Sequence, residues 1–239
     1  MTTKTAIELR SISKAYGPAG NQEYALRDAT LDVVRGEVLM LMGPSGSGKT
    51  TLLSIMGCIL KPTSGSITVA GHDVSGLSER ALGRIRLDNL GYIFQEYNLF
   101  PTLNVLENVM VALDLRGYTR RRARETAMKT LADVGLDDKA QVKPGTMSGG
   151  QKQRLAIARA LAGSPQVILA DEPTAALDSV NGQQVMELMH SLAKRGDRAV
   201  VVVTHDPRTV DFADRIVTIE DGLLHPQPQD GAKAPERKP

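Results

Sequence analysis

The sequence predicts an α/β domain built on a parallel sheet, and two patterns carry that prediction. Short apolar runs at Val38-Leu39-Met40-Leu41-Met42, Gly91-Tyr92-Ile93-Phe94, Val167-Ile168-Leu169-Ala170 and Ala199 to Val203 read as buried strands. Each run ends in a polar or glycine-rich cluster and leads into a helical pattern, the alternation expected of crossover connections. In such a sheet ligands gather outside the carboxyl ends of the strands. Gly43, Gln95, Asp171 and His205 all fall at such ends.

In chain order, Ile7 to Ile12 alternates apolar and polar residues, as a half-exposed strand does. Tyr16-Gly17-Pro18 with Gly20 and Asn21 makes a turn-rich loop. Ala25 to Val34 resumes a strand, and Arg35-Gly36-Glu37 turns into the first apolar run. Thr50 to Met56 reads as a helix, with Cys58 a small buried residue behind it. Ser66 to Ala70 is a strand, and Ser78 can cap a helix from Glu79 to Leu87.

After Pro101 the texture turns helical. Asn104 and Glu107 have capping-box spacing ahead of Val105 to Arg116. Arg120 to Val134 puts Ala123, Ala127, Met128, Leu131 and Val134 on one face. Its arginine-rich start, with no interleaved aromatics, reads as solvated helix surface rather than a nucleic-acid patch. Ser148 and Gln151 repeat the capping-box spacing before a helix to about Ala162. Gly182 to Lys194 is helical, Asp206-Pro207 opens a short helix, and Arg215 to Glu220 is expected as the last strand. Residues 1–225 are expected to form the domain, and 226–239 a disordered tail without apolar periodicity.

The totals bound the function. A chain of 239 residues with 41% hydrophobic content can bury one large core or two small ones. A net charge of +2 gives no electrostatic case for a nucleic-acid partner. No apolar stretch approaches the roughly 20 residues of a membrane helix, and Met1 to Arg10 has no signal-peptide core. The single cysteine cannot form an internal disulfide, which fits a reduced cytoplasmic compartment.

The chemistry centres on Gly43-Pro44-Ser45-Gly46-Ser47-Gly48-Lys49-Thr50-Thr51, which fits the phosphate-loop pattern G-x-x-x-x-G-K-[ST]. A glycine-rich turn leaves backbone N–H groups facing inward as a nest for an anion, and the following helix adds its positive end. Lys49 is placed to reach the β- and γ-phosphates of a nucleotide and Thr50 to ligate Mg²⁺. A dinucleotide fingerprint fits less well, because Thr51 stands where a third glycine is needed.

Asp171-Glu172, beside such a loop, supplies the carboxylates that a hydrolysed magnesium nucleotide needs. Asp171 suits the metal shell, and Glu172 suits the general base that polarises water. Gln95, both donor and acceptor, suits metal and water contacts, and His205 can donate to a γ-phosphate. Ser148-Gly149-Gly150-Gln151 presents a second helix N-terminus with bare glycine amides. One γ-phosphate does not need two such cradles from one chain; a head-to-tail dimer would use both.

The ordered set of Gly43-to-Thr51, Gln95, Ser148-Gly149-Gly150-Gln151, Asp171-Glu172-Pro173-Thr174, Ala176-Leu177-Asp178 and His205 resembles an ABC-transporter ATPase subunit over about Ile7 to Leu224. The resemblance implies a phosphate-loop NTPase core with a parallel sheet, an N-terminal antiparallel β subdomain and an inserted α-helical subdomain at about 101–163. It implies ATP and Mg²⁺ as cofactors, with Thr50, Gln95 and Asp171 at the metal. It further implies a nucleotide-sandwich homodimer, with Asp178 crossing between the sites and Tyr16 stacking on adenine. Met147 stands where the family usually has leucine, a volume-conserving swap.

Within that family, Lys61-Pro62-Thr63-Ser64-Gly65, Leu77-Ser78-Glu79-Arg80 and Gly91-Tyr92-Ile93-Phe94-Gln95 resemble the lipoprotein-release, macrolide-efflux and glycolipid-export branch. This implies a permease with few membrane spans and a large extracytoplasmic domain, a periplasmic adaptor in many cases, and a place on the cytoplasmic face of the membrane. An ATPase serving a non-transporting regulatory complex is the alternative that the sequence leaves open. The segment after Gln95 is implied to receive a permease helix, with Tyr97, Leu99 and Phe100 as its apolar floor, while Tyr92 and Phe94 are expected in strand core.

Overall fold

The computed structural model describes residues 5–18, 20–196 and 198–226. The chain begins with β1 (Thr5–Tyr16), β2 (Glu23–Val34), β3 (Val38–Met42), α1 (Lys49–Met56), β4 (Ser64–Val69), β5 (His72–Asp73), α2 (Glu79–Asn89) and β6 (Leu90–Ile93). It continues with α3 (Val105–Asp114), α4 (Arg120–Asp133), α5 (Gly149–Leu161), β7 (Val167–Asp171), α6 (Ser179–Gly196), β8 (Ala199–Val203), β9 (Arg215–Glu220) and β10 (Leu223–Pro226).

Two sheets form. One is antiparallel in the order β2-β1-β4-β5, and the other runs β10-β9-β3-β8-β7-β6. In the second, β9, β3, β8, β7 and β6 are parallel, and only β10 is antiparallel. The strands of this sheet are continuous apolar runs because both faces are covered. Val38, Met40, Ile168, Ala170, Val200 and Val202 face one core, shared with α3, α4, α5 and α6. Leu39, Leu41, Val167, Leu169, Val201 and Val203 face the other, shared with α1 and the antiparallel sheet. The period of two in the strands thus divides their side chains between the two cores.

Residues between β6 and β7 form a helical lobe of α3, α4 and α5. Asn104 and Glu107 close a full capping box on α3, and Ser148 and Gln151 do the same on α5. Such caps are each worth about 1 kcal/mol. Ala123, Ala127, Leu131 and Val134 are buried as the helical period requires, with Met128 packed at the margin.

Two boundaries differ from expectation. β10 follows β9, so Arg215–Glu220 is not the last strand, and His225 and Pro226 pair with Thr218 and Val217. The turn at Asp221 (φ 49) and Gly222 (φ 79) folds this edge strand back. The rest of the expected tail, 227–239, lies outside the described residues.

Candidate functional site

The parallel sheet delivers four sequence segments to one edge. Gly43 follows β3, Gln95 lies two residues beyond β6, Asp171 ends β7, and His205 lies two residues beyond β8. Pairing of Ile93 with Ala170, and of Asp171 with Val203, sets these ends side by side.

The phosphate loop takes its shape from close backbone approaches. A Cβ on Gly43 (φ 147) would lie 2.1 Å from Ile219 O, and one on Gly48 (φ 106) would lie 2.3 Å from Ala25 O. Gly48 is the N-cap of α1 and offers no capping side chain, so first-turn N–H groups are left for an anion. The Lys49 ammonium donates to Gly43 O at 2.9 Å and Pro44 O at 2.7 Å. Ser47 Oγ is buried without a hydrogen-bond partner. A hollow of about 150 Å³ opens beside Gly46, Gly48, Lys49, Thr50 and Thr51; Pro44 and Ser45 are exposed at the loop's turn. An inward-facing orphan hydroxyl and a lysine bound only to carbonyls are features that a polyphosphate would satisfy.

Thr50 donates from Oγ1 to Asp171 Oδ1 at 3.3 Å. Burial holds the Asp171 carboxyl above the ordinary range, opposed by the Thr50 hydrogen bond, raised further by the Glu172 charge and lowered by Lys49. A cation here would relieve that burial penalty on the carboxylate. Among the described residues no group of three His, Cys, Asp or Glu could hold a metal alone. One hydroxyl, one carboxylate and a neutral amide, completed by phosphate oxygens and water, is a donor set that suits Mg²⁺.

Glu172 adopts a left-handed backbone (φ 49), fixed by its N–H donating to Val203 O at 2.9 Å. Its side chain is 14% exposed, and Oε1 lies 2.7 Å from His205 Nδ1. With a carboxylate as acceptor, Nδ1 carries the proton and Nε2 is turned away from it. His205 is thus committed through one nitrogen to the acid beside it, a link that strand-end position did not foretell. Gln95 is exposed, two residues beyond the end of β6, the strand that pairs with β7.

Tyr16 ends β1 with 48% of its surface exposed and the Lys14 ammonium 5.2 Å from its ring centroid.

Ser148 to Gln151 sits in the helical lobe, with different neighbours from those of the phosphate loop. A Cβ on Gly149 would lie 3.3 Å from Leu177 Cδ2 and 3.4 Å from the Tyr97 hydroxyl; on Gly150 it would lie 2.3 Å from Asn181 Oδ1. Asn181 donates through its N–H to Asp178 Oδ1 at 2.9 Å and through Nδ2 to Oδ2 at 2.7 Å. These bonds, backbone first, hold the Asp178 carboxyl below its ordinary range. Asn181 was missed by sequence reading, although Asp178 and Asn181 have the spacing of a helix cap.

Of the residues expected on the groove floor, Phe100 lines a groove between the lobes, but Tyr97 and Leu99 do not. Leu99 packs on the helical core, and Tyr97 turns toward Gly149. The reason is backbone: Tyr97 (φ 62) and Asn98 (φ 47) are consecutive left-handed residues that reverse the chain. Tyr92 packs against the second core, as expected, and also lines the groove, as does half-buried Phe94, their ring centroids 4.4 Å apart.

Fold and site together define a phosphate-loop nucleoside triphosphatase. The ABC transporter family profile matches residues 26–175, and a dimeric structure of the bacterial ABC transporter cassette MJ0796 superposes with a TM-score of 0.85 at 40% identity, covering 95% of this chain and 100% of that one. The chain belongs to the ABC transporter family, as an ABC-type ATPase domain. A post-hydrolysis structure of the same cassette bound to ADP and Pi matches with a TM-score of 0.85 at 39% identity. Macrolide export ATP-binding/permease proteins MacB of Shigella flexneri and Salmonella typhimurium are each 44% identical, over 219 and 224 residues. The chain spans 34% of the length of these relatives.

Proposed function

We propose that this chain is the ATP-hydrolysing part of a membrane export complex of the macrolide-export kind, driven by ATP-dependent pairing of two copies. Lys49 and the loop amides bind the β- and γ-phosphates, and Tyr16 stacks on adenine. Thr50, Asp171 and Gln95 would hold Mg²⁺, which would supply charge neutralisation for phosphoryl transfer. Glu172 takes the proton of the attacking water, and His205 orients Glu172 and meets the γ-phosphate through Nε2. Ser148, Gly149, Gly150 and Gln151 of the second copy close the site, with Asp178 at the crossing.

The observation that carries the reading is the run of contacts from Lys49 and Thr50 through Asp171 and Glu172 to His205 across adjacent strand ends. The MacB relatives join an ATP-binding part to a permease, which supports a permease partner; in our reading that permease has few spans and a large extracytoplasmic domain and works with a periplasmic adaptor. The domain then works at the cytoplasmic face of that membrane. Light scattering with and without MgATP tests the pairing: ATP converts monomer to dimer, and a mass that stays monomeric in every nucleotide state refutes it.

A further inference from the structure

The phosphate loop packs against the turn between β9 and β10. β3 and β9 are parallel neighbours, with Met42 beside Thr218, so both chains leave the sheet at the same edge. Asp221 (φ 49) and Gly222 (φ 79) then reverse the chain and bring the Gly222 N–H to Ser47 O, to which it donates at 3.1 Å. On its other side, Gly222 O accepts from the Arg27 N–H at 2.9 Å. One buried residue thus ties the loop to β2, and β2 pairs with β1 up to Tyr16. The turn has no room for a side chain: a Cβ on Gly222 would lie 2.9 Å from Ala25 O and 3.1 Å from Leu26 Cα. Ala25 O is also the atom that a Cβ on Gly48 would meet.

The bond to Ser47 O matters because of the peptide to which that oxygen belongs. The Ser47 carbonyl and the Gly48 N–H share one trans peptide, in which C=O and N–H point in opposite directions across a rigid plane. Fixing the carbonyl therefore fixes the N–H. With Ser47 O turned to Gly222, the Gly48 N–H is turned to the opposite side. Gly48 (φ 106) has no Cβ to restrict its own rotation, so this peptide would flip at small steric cost without an outside anchor. A nest binds an anion through amides that already face inward, and an amide that must first be ordered costs affinity.

We infer that Gly222 is a positioning residue for nucleotide binding: through the Ser47 carbonyl it holds the Gly48 N–H in the direction that meets a phosphate oxygen. The inference rests on the reading of Gly43 to Thr51 as the phosphate site. It extends that site to a turn distant in sequence, and to a backbone N–H outside the phosphate-loop pattern.

The test replaces Gly222 by glycolic acid during cell-free synthesis of the full chain. The N–H becomes an ester oxygen, and no atom is added to the crowded turn. The dissociation constants of ATP and ADP should rise about tenfold, and KM for ATP should rise while kcat at saturating ATP stays near wild type. In amide NMR spectra the Gly48 proton of the wild type should move downfield on addition of ADP, and move less in the ester. A bond that is only structural would lower the nucleotide-free melting temperature and leave both dissociation constants and the Gly48 shift at their wild-type values; that result overturns the inference. Lys49→Ala separates the two readings, because it should lose ATP binding whatever Gly222 does. Retained binding in Lys49→Ala overturns the phosphate site and the inference with it. Loss in Lys49→Ala with wild-type affinity in the ester overturns the role of Gly222 alone.

Discussion

His205 Nδ1 sits 2.7 Å from Glu172 Oε1, joining the ends of two neighbouring strands. Glu172 holds a left-handed backbone (φ 49) tied to Val203, so the acid is fixed both at its main chain and at its carboxylate. Fixing a base before substrate arrives removes an orientational cost from the chemical step.

On the proposed mechanism, Glu172→Gln keeps the shape and removes the base. ATP binding should persist, kcat should fall about 10²- to 10⁴-fold, and the ATP-bound dimer should accumulate in size-exclusion chromatography. His205→Ala leaves the carboxylate in place without its partner, so kcat should fall more than KM changes. Normal turnover in Glu172→Gln would remove this residue from the base role.

Asp171 gives a pH signature. Burial raises its pKa in the nucleotide-free fold, so the folded state binds a proton more readily than the unfolded chain. That contribution favours folding at acid pH and is lost as pH rises through the raised pKa. At neutral pH Asp171→Asn should melt higher than the wild type without nucleotide, and the gap should close as pH falls below the raised pKa. The same variant should lose Mg²⁺-dependent hydrolysis. A gap that widens on acidification would contradict the burial argument.

Much of this was legible in the sequence because the signals were local. Continuous apolar strands, capping pairs such as Asn104 with Glu107, and the loop from Gly43 to Thr51 each depend on neighbours within a few residues. What escaped depends on side-chain direction or on contacts far apart in sequence. Tyr97 and Leu99 left the groove because two left-handed residues turn the chain, a conformation that tyrosine does not advertise. Tyr92 and Phe94 lie half-buried in and just beyond β6, the edge strand of the sheet, and line the groove. β10 was hidden by its proline and by its position after an Asp-Gly turn.

Gly150 shows how closely the α5 N-terminus meets the start of α6. A Cβ there would lie 2.3 Å from Asn181 Oδ1 and 2.8 Å from its Cγ. Gly150→Ala should push the Asn181 side chain off Asp178 Oδ2, to which its Nδ2 donates at 2.7 Å. ATP-driven pairing should weaken while nucleotide binding by the monomer, measured by fluorescence titration, stays near wild type. Asn181→Ala combined with Gly150→Ala makes room for the methyl group and should recover part of the lost pairing. No recovery would place the fault in the methyl group's own obstruction of the α5 N-terminus rather than in Asn181.

Arg159 holds the strained turn after Gln95. Its Nη2 donates to Tyr97 O at 2.8 Å and its Nη1 to Asn98 O, and the guanidinium lies 5.9 Å from the Phe100 ring centroid. Left-handed conformations at Tyr97 and Asn98 each cost on the order of 1–2 kcal/mol, and the forked guanidinium is what opposes their relaxation. Arg159→Ala should lower stability by about 2 kcal/mol and raise amide exchange at residues 96–100 above that of the surrounding helices. Arg159→Lys, with a single ammonium in place of the fork, should recover only part of the protection. Unchanged exchange in Arg159→Ala would mean that the turn holds itself without Arg159.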